Sequence, residues 1–395
     1  MKLRKYSIAL LLFLLLPFFH HQSAFATSEE TIQDPAIEED LVDQISLEGI
    51  QEYWDKLNNE YQGFLPELEK TSIYEFIKNK ENFSMNNIVR GLLSFLFQEL
   101  ILNGKLLGSL LILVLFSAVL QTMHTAFEQS AISKIAYFVV YLVLIFLAMN
   151  SFYASFSYTR EAIETMSGFM TALLPLLLGL MASFGNLLSI SFFHPIIVFL
   201  IYASTMVVSK FILPILFLAA LLLIVSSLNE KFQVNHLASL MTTVGMGTLG
   251  AFLTIFIGAM SIQGAASAVQ DGVAMKTTKF IAGNFIPVVG RTFTDAADTV
   301  FAASLLLKNA VGIVGVAMVL FIAFFPAIKI LVIAIIYKVA AAVLQPIGNG
   351  PIIDCLHTIS KFMLYILACL LAVAMMFFLA IVIIIAASNI TVLMR

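Results

Sequence analysis

Residues 165–209 read TMSGFMTALLPLLLGLMASFGNLLSISFFHPIIVFLIYASTMVVS and contain no Asp, Glu, Lys or Arg. Six further blocks are equally free of these residues: 106–127, 135–159, 211–229, 232–270, 309–328 and 362–394. A helix needs about 20 apolar residues to cross the hydrocarbon core of a bilayer, where charged side chains are disfavoured. A soluble core does not need charge-free blocks of this length. The sequence therefore predicts an all-α, polytopic membrane protein.

The composition agrees with a membrane protein, because 61% of the residues are hydrophobic and only 11% are charged. Acidic residues concentrate between Thr27 and Arg90, which indicates a water-facing acidic segment. No basic cluster exists beyond the extreme N-terminus, so a nucleic-acid-binding surface is not expected. Cys355 and Cys369 would lie about 21 Å apart along one helix, too far for a disulfide. We interpret both as small apolar residues.

The N-terminus has the layout of a signal peptide covering residues 1–26. A basic start is followed by the apolar run Ile8–Phe19 and by small residues at Ala24 and Ala26, which suit a signal peptidase. An uncleaved anchor helix is the alternative, but the apolar run is short and we favour cleavage. In either case residues 27–87 form a short, acidic, partly helical segment on the extracytoplasmic side.

Within this acidic segment, one apolar stripe follows the spacing of a helix. Its members are Leu47, Ile50, Trp54, Leu57 and Tyr61. Gly63 and Pro66 then end the pattern. About 60 residues are too few for a robust independent core, so the stripe is expected to pack on something else. Packing on the same chain is our first interpretation, and the lipid surface and a partner's helix are the others.

We expect an interfacial helix at 88–102, followed by eight spans. They lie near 105–123, 135–153, 168–185, 192–209, 211–228, 241–262, 311–333 and 362–386. The interfacial helix and spans one to six together form a predicted region at 88–262. Spans seven and eight form a second predicted membrane region at 311–395. Lys210 and Pro214 separate the fourth and fifth spans with almost no loop. This indicates either a tight helical hairpin or two half-helices broken inside the membrane.

Glycine spacing predicts where spans pack against other helices. Gly250, Thr254 and Gly258 place small residues on one face of the sixth span, and Gly312 and Gly315 do so in the seventh. Helices in lipid associate by close backbone approach at such faces. We therefore expect these glycines to serve helix packing, and a path for a solute is the less favoured interpretation.

Residues 263–310 are too polar to span a membrane and too apolar for an ordinary loop. Their pattern predicts two amphipathic helices hinged at Ile286–Arg291, because Pro287 and Gly290 supply a turn. The pair would lie on the membrane surface, re-enter the membrane or face a partner. We expect this block to act in assembly through Asp271, Gly272, Lys276, Pro287, Gly290, Asp298 and Lys308.

The same block carries a family resemblance. DGVAMKTTKF at 271–280, FIPVVG at 285–290, DTV at 298–300 and KNAVG at 308–312 follow in this order between two apolar spans. With the signal peptide and acidic segment, they resemble the stage III sporulation protein AE family of endospore-forming bacteria. The resemblance covers essentially the whole chain, and this block is its specific part.

The resemblance implies a membrane component of the channel or secretion-like complex that joins the mother cell to the engulfed forespore. It implies a location in the mother-cell-derived outer forespore membrane. The implied partners are the other stage III sporulation A membrane proteins and, across the intermembrane space, forespore stage II sporulation protein Q. The complex would support late forespore gene expression and forespore maintenance. No enzymatic chemistry is assigned to the family.

The residues show no catalytic motif. There is no His-Glu-x-x-His, no Gly-rich phosphate loop and no Gly-x-Ser-x-Gly elbow, so we expect neither an enzyme nor a cofactor or metal site. Asp295 and Asp298 would share a helical face, but solvated acids explain them better than a cation site. Lys210, Lys329 and Lys338 are ionisable groups near the membrane, and each is either functional or snorkels to an interface.

The alternative function is a stand-alone secondary transporter or permease of a small solute. The length of the chain, the number of spans and the proline-broken helices allow it. Transporter folds usually contain internal repeats, and no motif recurs between the two halves of this chain.

Overall fold

The computed structural model of the protein describes residues 48–61, 63–64, 85–126, 131–183, 187–227, 234–285, 289–345 and 351–393. All of them belong to one compact unit, Leu41–Arg395. These ranges are almost entirely helical and contain no strand. The proposed signal peptide, with Ala24 and Ala26, and also Pro287 lie outside the described residues, and the predictions for them stay predictions.

The helices of the described ranges carry the following labels. They are α1 (Glu48–Glu60), α2 (Met85–Leu102), α3 (Gly104–Ala126), α4 (Ala131–Ser183), α5 (Leu187–Met206), a π-helical segment (Val207–Ile212), α6 (Leu213–Ser226), α7 (Asn235–Phe285), α8 (Val289–Leu344) and α9 (Pro351–Leu393).

Within the described ranges, five helical stretches are long and apolar enough to cross a membrane. They are Phe138–Ala182, His194–Ser226, Asn235–Ala266, Leu307–Val343 and Pro351–Ala387. Helices α2 and α3 meet at a 45° bend and make a sixth if the pair counts as one broken span. The all-helical class and the presence of several helices long and apolar enough to span a membrane are thus confirmed for the described ranges. These helices are fewer than the eight predicted spans because neighbouring spans merge.

The first merger is in α4, which contains the predicted spans 135–153 and 168–185 in one continuous helix. The polar stretch between them was expected to be a loop. It stays helical, and Arg160 pairs with Glu164 one turn later at 2.9 Å. Charged residues end an apolar span, but they do not end a helix. At 53 residues α4 is about 80 Å long, well beyond the hydrocarbon thickness of about 30 Å.

The second merger joins the predicted spans 192–209 and 211–228. Neither a hairpin nor a break separates them, because the π-helical segment connects α5 to α6. In this segment the Leu213 N–H bonds to the Val208 carbonyl, five residues back. Pro214 follows, and its ring would clash with the carbonyl four residues back in a regular α-helix. The wider π turn accommodates the proline without ending the helix.

The two helices predicted for residues 263–310 also join their neighbours. Residues 263–285 are the last part of α7, and residues 289–310 are the first part of α8. Of the predicted hinge at Ile286–Arg291, residues 286–288 lie outside the described residues, and Val289, Gly290 and Arg291 belong to α8. For residues 267–285 and 289–304 the structure describes the backbone alone.

Helices α8 and α9 form the centre of the bundle. They make the largest helix–helix contact with each other, and α9 also contacts α4, α5, α6 and α7. Small residues allow this proximity, as predicted for Gly312 and Gly315. A Cβ added at Gly312 would collide with Ile385 of α9, and one added at Gly315 would lie 2.6 Å from Leu173 Cδ2 of α4.

Candidate functional site

Helix α1 docks on the membrane bundle through the apolar stripe predicted from the sequence. Ile50, Trp54, Leu57 and Tyr61 are each at most 7% exposed, and α1 contacts α4 and α8. The expectation that the stripe packs on its own chain is confirmed. Each such side chain contributes about 1.5–3 kcal/mol when it leaves water. The docking is therefore driven mainly by apolar burial.

An aromatic cluster ties the end of α1 to α2 and α8. The Tyr61 and Phe325 rings stack with centroids 3.8 Å apart and planes 6° from parallel. Phe95 of α2 meets both rings edge-on, at 5.8 Å from Tyr61 and 5.0 Å from Phe325. Gly63, with a φ of 87°, then ends this part of the chain in a conformation that favours glycine.

A glycine of α4 makes room for the middle of α1. The Tyr53 ring meets the Phe169 ring edge-on at 5.7 Å, and its hydroxyl lies directly over Gly168. A Cβ added at Gly168 would collide with that hydroxyl. The seating of α1 thus depends on a missing side chain in α4.

Two pairs of opposite charges lie beside the apolar contact. Lys329 Nζ of α8 is 3.8 Å from Glu60 Oε1, and Lys56 Nζ is 3.8 Å from Glu161 Oε1 of α4. These distances exceed the 2.7–2.9 Å of a direct charge-assisted hydrogen bond, so each pair leaves a gap. Lys329 Nζ also lies 5.6 Å from the Tyr61 ring centroid and 5.4 Å from that of Tyr158, within cation–π range.

The Tyr61 hydroxyl donates a hydrogen bond to Glu60 Oε1 at 2.8 Å. Burial raises the pKa of Tyr61, and the neighbouring Glu60 carboxylate raises it further. The phenol therefore remains a donor at neutral pH, while Glu60 accepts from Tyr61 and faces Lys329.

A cavity of about 90 Å³ remains between α1, α4 and α8. It is bounded by two lysines, two glutamates and three tyrosines, together with smaller groups. The polar side chains are Tyr53, Lys56, Glu60, Tyr61, Tyr158, Glu161, Thr165 and Lys329. A water molecule needs roughly 10–15 Å³ of such space and two or more polar partners, and this cavity offers both.

The cavity is a polar recess lined by amines, carboxylates, phenols and the Thr165 hydroxyl. Across the part of the chain that the structure describes, no three His, Cys, Asp or Glu residues lie close enough to hold a metal ion.

Comparison with known proteins identifies the family. The sequence profile described as stage III sporulation protein AE matches residues 68–388. The chain is also 49% identical over 376 residues to the stage III sporulation protein AE of Bacillus subtilis (strain 168), and 94% of each chain is covered. The chain belongs to the stage III sporulation protein AE family. No solved structure matches it. The profile match begins after α1 and includes α2 to α8.

The block that carries the family resemblance is only partly described. Asp271, Gly272 and Lys276 lie in the last third of α7, and Gly290 and Asp298 lie in the first turns of α8. The side chains of Asp271, Lys276 and Asp298 are outside the described part, so their predicted contacts are untested. The backbone places them on the helical segments that flank the Phe285–Val289 connection.

Lys308 is the member of that block whose side chain is described. It is fully buried, and its Nζ donates to the Ile385 carbonyl of α9 at 3.3 Å. Gly312 lies one turn further along α8 and meets the same Ile385. Lys308 therefore contributes to the contact between α8 and α9, a role that its place in a polar insert did not predict.

Gly250 and Gly258, predicted to pack against another helix, meet no other helix among the described residues. No described atom of another helix lies within 4 Å of a Cβ added at either position. Two other glycines of α7 do face neighbouring helices. An added Cβ would lie 2.7 Å from Ile383 Cγ2 at Gly264 and 3.4 Å from Leu216 Cδ2 at Gly245. Packing of Gly250 and Gly258 against another chain stays a prediction.

Sequence reasoning identified the stripe of α1 and flagged Lys329, but it missed Tyr158 and Glu161. Both were placed in a loop between two spans. A usable signal was present, because residues 154–167 contain no proline or glycine that would interrupt a helix.

Proposed function

We propose that the protein is an integral membrane component of the mother cell–forespore channel, a secretion-like complex needed for endospore development. Membership of the stage III sporulation protein AE family carries the proposal, and the long apolar helices support it. In this role it contributes to late forespore gene expression and forespore maintenance. It acts as a structural or channel-forming subunit and not as an enzyme.

The proposed location is the mother-cell-derived outer forespore membrane, with the signal peptide directing the acidic segment to the extracytoplasmic side. The proposed partners are the other stage III sporulation A membrane proteins in the same membrane and stage II sporulation protein Q across the intermembrane space. The exposed face of α1 supports a water-facing location, since Glu52, Asp55 and Glu60 all lie on it.

Two regions are proposed to meet other subunits. The first is the block around the Phe285–Val289 connection, with Asp271, Lys276 and Asp298. The second is the face of α7 that carries Gly250 and Gly258, where no described residue lies within 4 Å of an added Cβ. Neighbouring membrane helices approach closely at such glycine faces.

The experiment replaces the Bacillus subtilis relative with this chain and with single alanine variants at Asp271, Lys276, Pro287, Gly290 and Asp298. Co-purification of the other stage III sporulation A proteins measures assembly, and a late forespore reporter measures function. We expect both to fall while membrane levels of the protein stay normal. Ser239→Ala, on an exposed part of α7, is the control. Normal assembly and sporulation in all five variants would remove the block's proposed role.

A stand-alone transporter is the second candidate, and the π-helical segment favours it. Val207–Ile212 interrupts the regular helix inside an apolar stretch, and Ser209 Oγ is buried there without a hydrogen-bond partner among the described residues. Transporters place binding sites at such irregular turns. Purified protein that moves a defined solute into liposomes without partners would support this candidate over the first.

A further inference from the structure

Three hydroxyl groups stand in a row on the buried face of α4. Ser151, Ser155 and Thr159 follow one another at intervals of four residues, so they lie one turn apart on one side of the helix. Ser151 is 8% exposed, and the other two are completely buried. Hydroxyl groups in such positions need hydrogen-bond partners, because water cannot reach them from the outer surface of the bundle.

The first two hydroxyl groups have partners inside the protein. Ser151 Oγ donates to the Leu147 carbonyl at 3.0 Å and accepts a bond of 2.9 Å from the Tyr337 hydroxyl of α8. Ser155 Oγ donates to the Ser151 carbonyl at 3.0 Å. Both follow the usual pattern in which a helical serine bonds to the carbonyl four residues back.

Thr159 departs from this pattern. Its Oγ1 is buried and has no hydrogen-bond partner among the described residues, although the Ser155 carbonyl lies four residues back. Leaving a buried hydroxyl unbonded destabilises a fold, so native proteins rarely do it unless a water molecule occupies the space. The Thr159 hydroxyl is therefore a position at which a bound water molecule would satisfy a buried polar group.

Thr159 does not itself line the polar cavity under α1, but its neighbours along α4 do. Tyr158, Glu161 and Ala162 all line that cavity, and Ala162 lies three residues, or nearly one helical turn, beyond Thr159. Helices α4 and α8 run antiparallel here, since Ser151 meets Tyr337 whereas Tyr158 meets Lys329. Along α4, Ser151 and Ser155 therefore lie in the part of the bundle where the hydroxyl groups are hydrogen-bonded, and Thr159 lies nearer to the cavity.

We propose that the cavity is a water-filled vestibule and that its inner end is a bound-water site at Thr159. Water enters from the side on which α1 lies, passes the two separated charge pairs and donates to or accepts from Thr159 Oγ1. Two lysines and two glutamates line the cavity, so their formal charges balance. Beyond Thr159 the bonded Ser155 and Ser151 close the path.

The test is the reactivity of an introduced thiol in the purified, folded chain. A cysteine is introduced by Thr159→Cys, and adducts of 2-aminoethyl methanethiosulfonate are counted by intact-protein mass. The two native cysteines are at most 1% exposed, so the parent protein sets the baseline. Thr165→Cys, in the cavity wall, is the positive comparison. Ala148→Cys, completely buried on the same helix, is the negative one.

We expect Thr165→Cys and Thr159→Cys each to gain one adduct, with Thr159→Cys slower, while Ala148→Cys stays at the parent level. Three results would overturn the proposal. An unreactive Thr159→Cys beside a reactive Thr165→Cys would show that the vestibule ends earlier. Two unreactive variants would show a cavity closed to water. Equal rates for Ala148→Cys and Thr159→Cys would show access by general opening of the bundle.

A second measurement covers the case in which a cysteine variant does not fold. Thr159→Val keeps the shape of the side chain and removes its hydroxyl. If water is bound there, the valine lowers the melting temperature, because the water loses a partner. If the hydroxyl is dry and unbonded, the valine raises the melting temperature, and that result would refute the water site. Thr159→Ser, which keeps the hydroxyl, should change the melting temperature less than Thr159→Val does.

Discussion

Helices α7 and α8 flank the same short connection, yet they occupy opposite environments. Of the residues in the most apolar 18-residue stretch of α8, 61% are buried within the protein. The corresponding share in α7 is 17%. Both helices carry glycines at helical spacing. Those of α8 meet Ile385 and Leu173, and Gly250 and Gly258 of α7 meet nothing within the chain. Glycine spacing therefore predicts a surface for close approach, but it does not say which chain supplies the partner.

The largest expected effect comes from filling the glycine contact of α8. Gly312→Leu should lower the free energy of unfolding by about 1–3 kcal/mol, because the new side chain overlaps Ile385 and forces α8 from α9. Thermal unfolding in detergent measures it. Gly250→Leu is the matched control and should be neutral or slightly stabilising, since leucine favours helix over glycine. Equal destabilisation by both would contradict the contrast between the helices.

Helix α4 allows the same comparison within one helix. Gly168→Val should displace Tyr53 and weaken the docking of α1 by about 1–2 kcal/mol, since overpacking a close contact is destabilising. Gly179→Val is the control, because no atom lies within 4 Å of a Cβ added there. Trp54 is the chain's single tryptophan, so its emission reports on α1 directly. We expect a red shift for Gly168→Val alone, and unchanged emission would count against the docking geometry.

The two charge pairs at α1 should differ in strength. Lys56 and Glu161 are both more than half exposed, so Lys56→Ala should change stability by no more than about 0.5 kcal/mol. Lys329 is 23% exposed and also faces two tyrosine rings, so Lys329→Ala should cost about 1 kcal/mol or more. Chemical denaturation followed by Trp54 emission compares the two losses of stability. A larger loss for Lys56→Ala than for Lys329→Ala would show that the contacts of Lys329 do not stabilise the docking of α1.

Substitutions on the glycine face of α7 should have the smallest effect on the stability of the protein, but they should reduce its assembly with other subunits. Gly250→Leu and Gly258→Leu are expected to leave the chain's own melting temperature unchanged and to reduce co-purification with the other sporulation membrane proteins. Gly247→Leu, another position with open space around its Cβ, tests whether the whole face or one register matters. Normal assembly of both variants would show that this face of α7 contacts lipid.

Much of the docking site was predictable because its signals are local. The spacing of Ile50, Trp54, Leu57 and Tyr61 placed one apolar stripe on one helix, and the stripe is buried as expected. The groove that receives it was not predictable. Gly168, Phe325 and Phe95 come from three helices far apart in the chain, and nothing in their own neighbourhoods marks them as neighbours.

The span boundaries failed for a physical reason that is also local in origin. Charge near Arg160 and a proline at position 214 were interpreted as breaks, but α4 and the α5–α6 run continue through them. A charged residue opposes the transfer of a segment into lipid, but it does not prevent that segment from being helical. A proline removes one backbone hydrogen bond, and the helix can continue when a π turn or a neighbouring helix satisfies the group left without a partner.

The amino-acid sequence by itself determined that most of this protein is helical, that many of its segments are apolar enough to span a membrane, and which family it resembles. These properties depend on the transfer of each segment from water and on hydrogen bonds made inside each segment. The tertiary structure alone decided that Lys308 lies inside the bundle, that Gly312 and Gly168 meet large side chains, and that a polar cavity forms beneath α1. Those outcomes depend on contacts between distant segments, and such contacts exist only once the helices have packed.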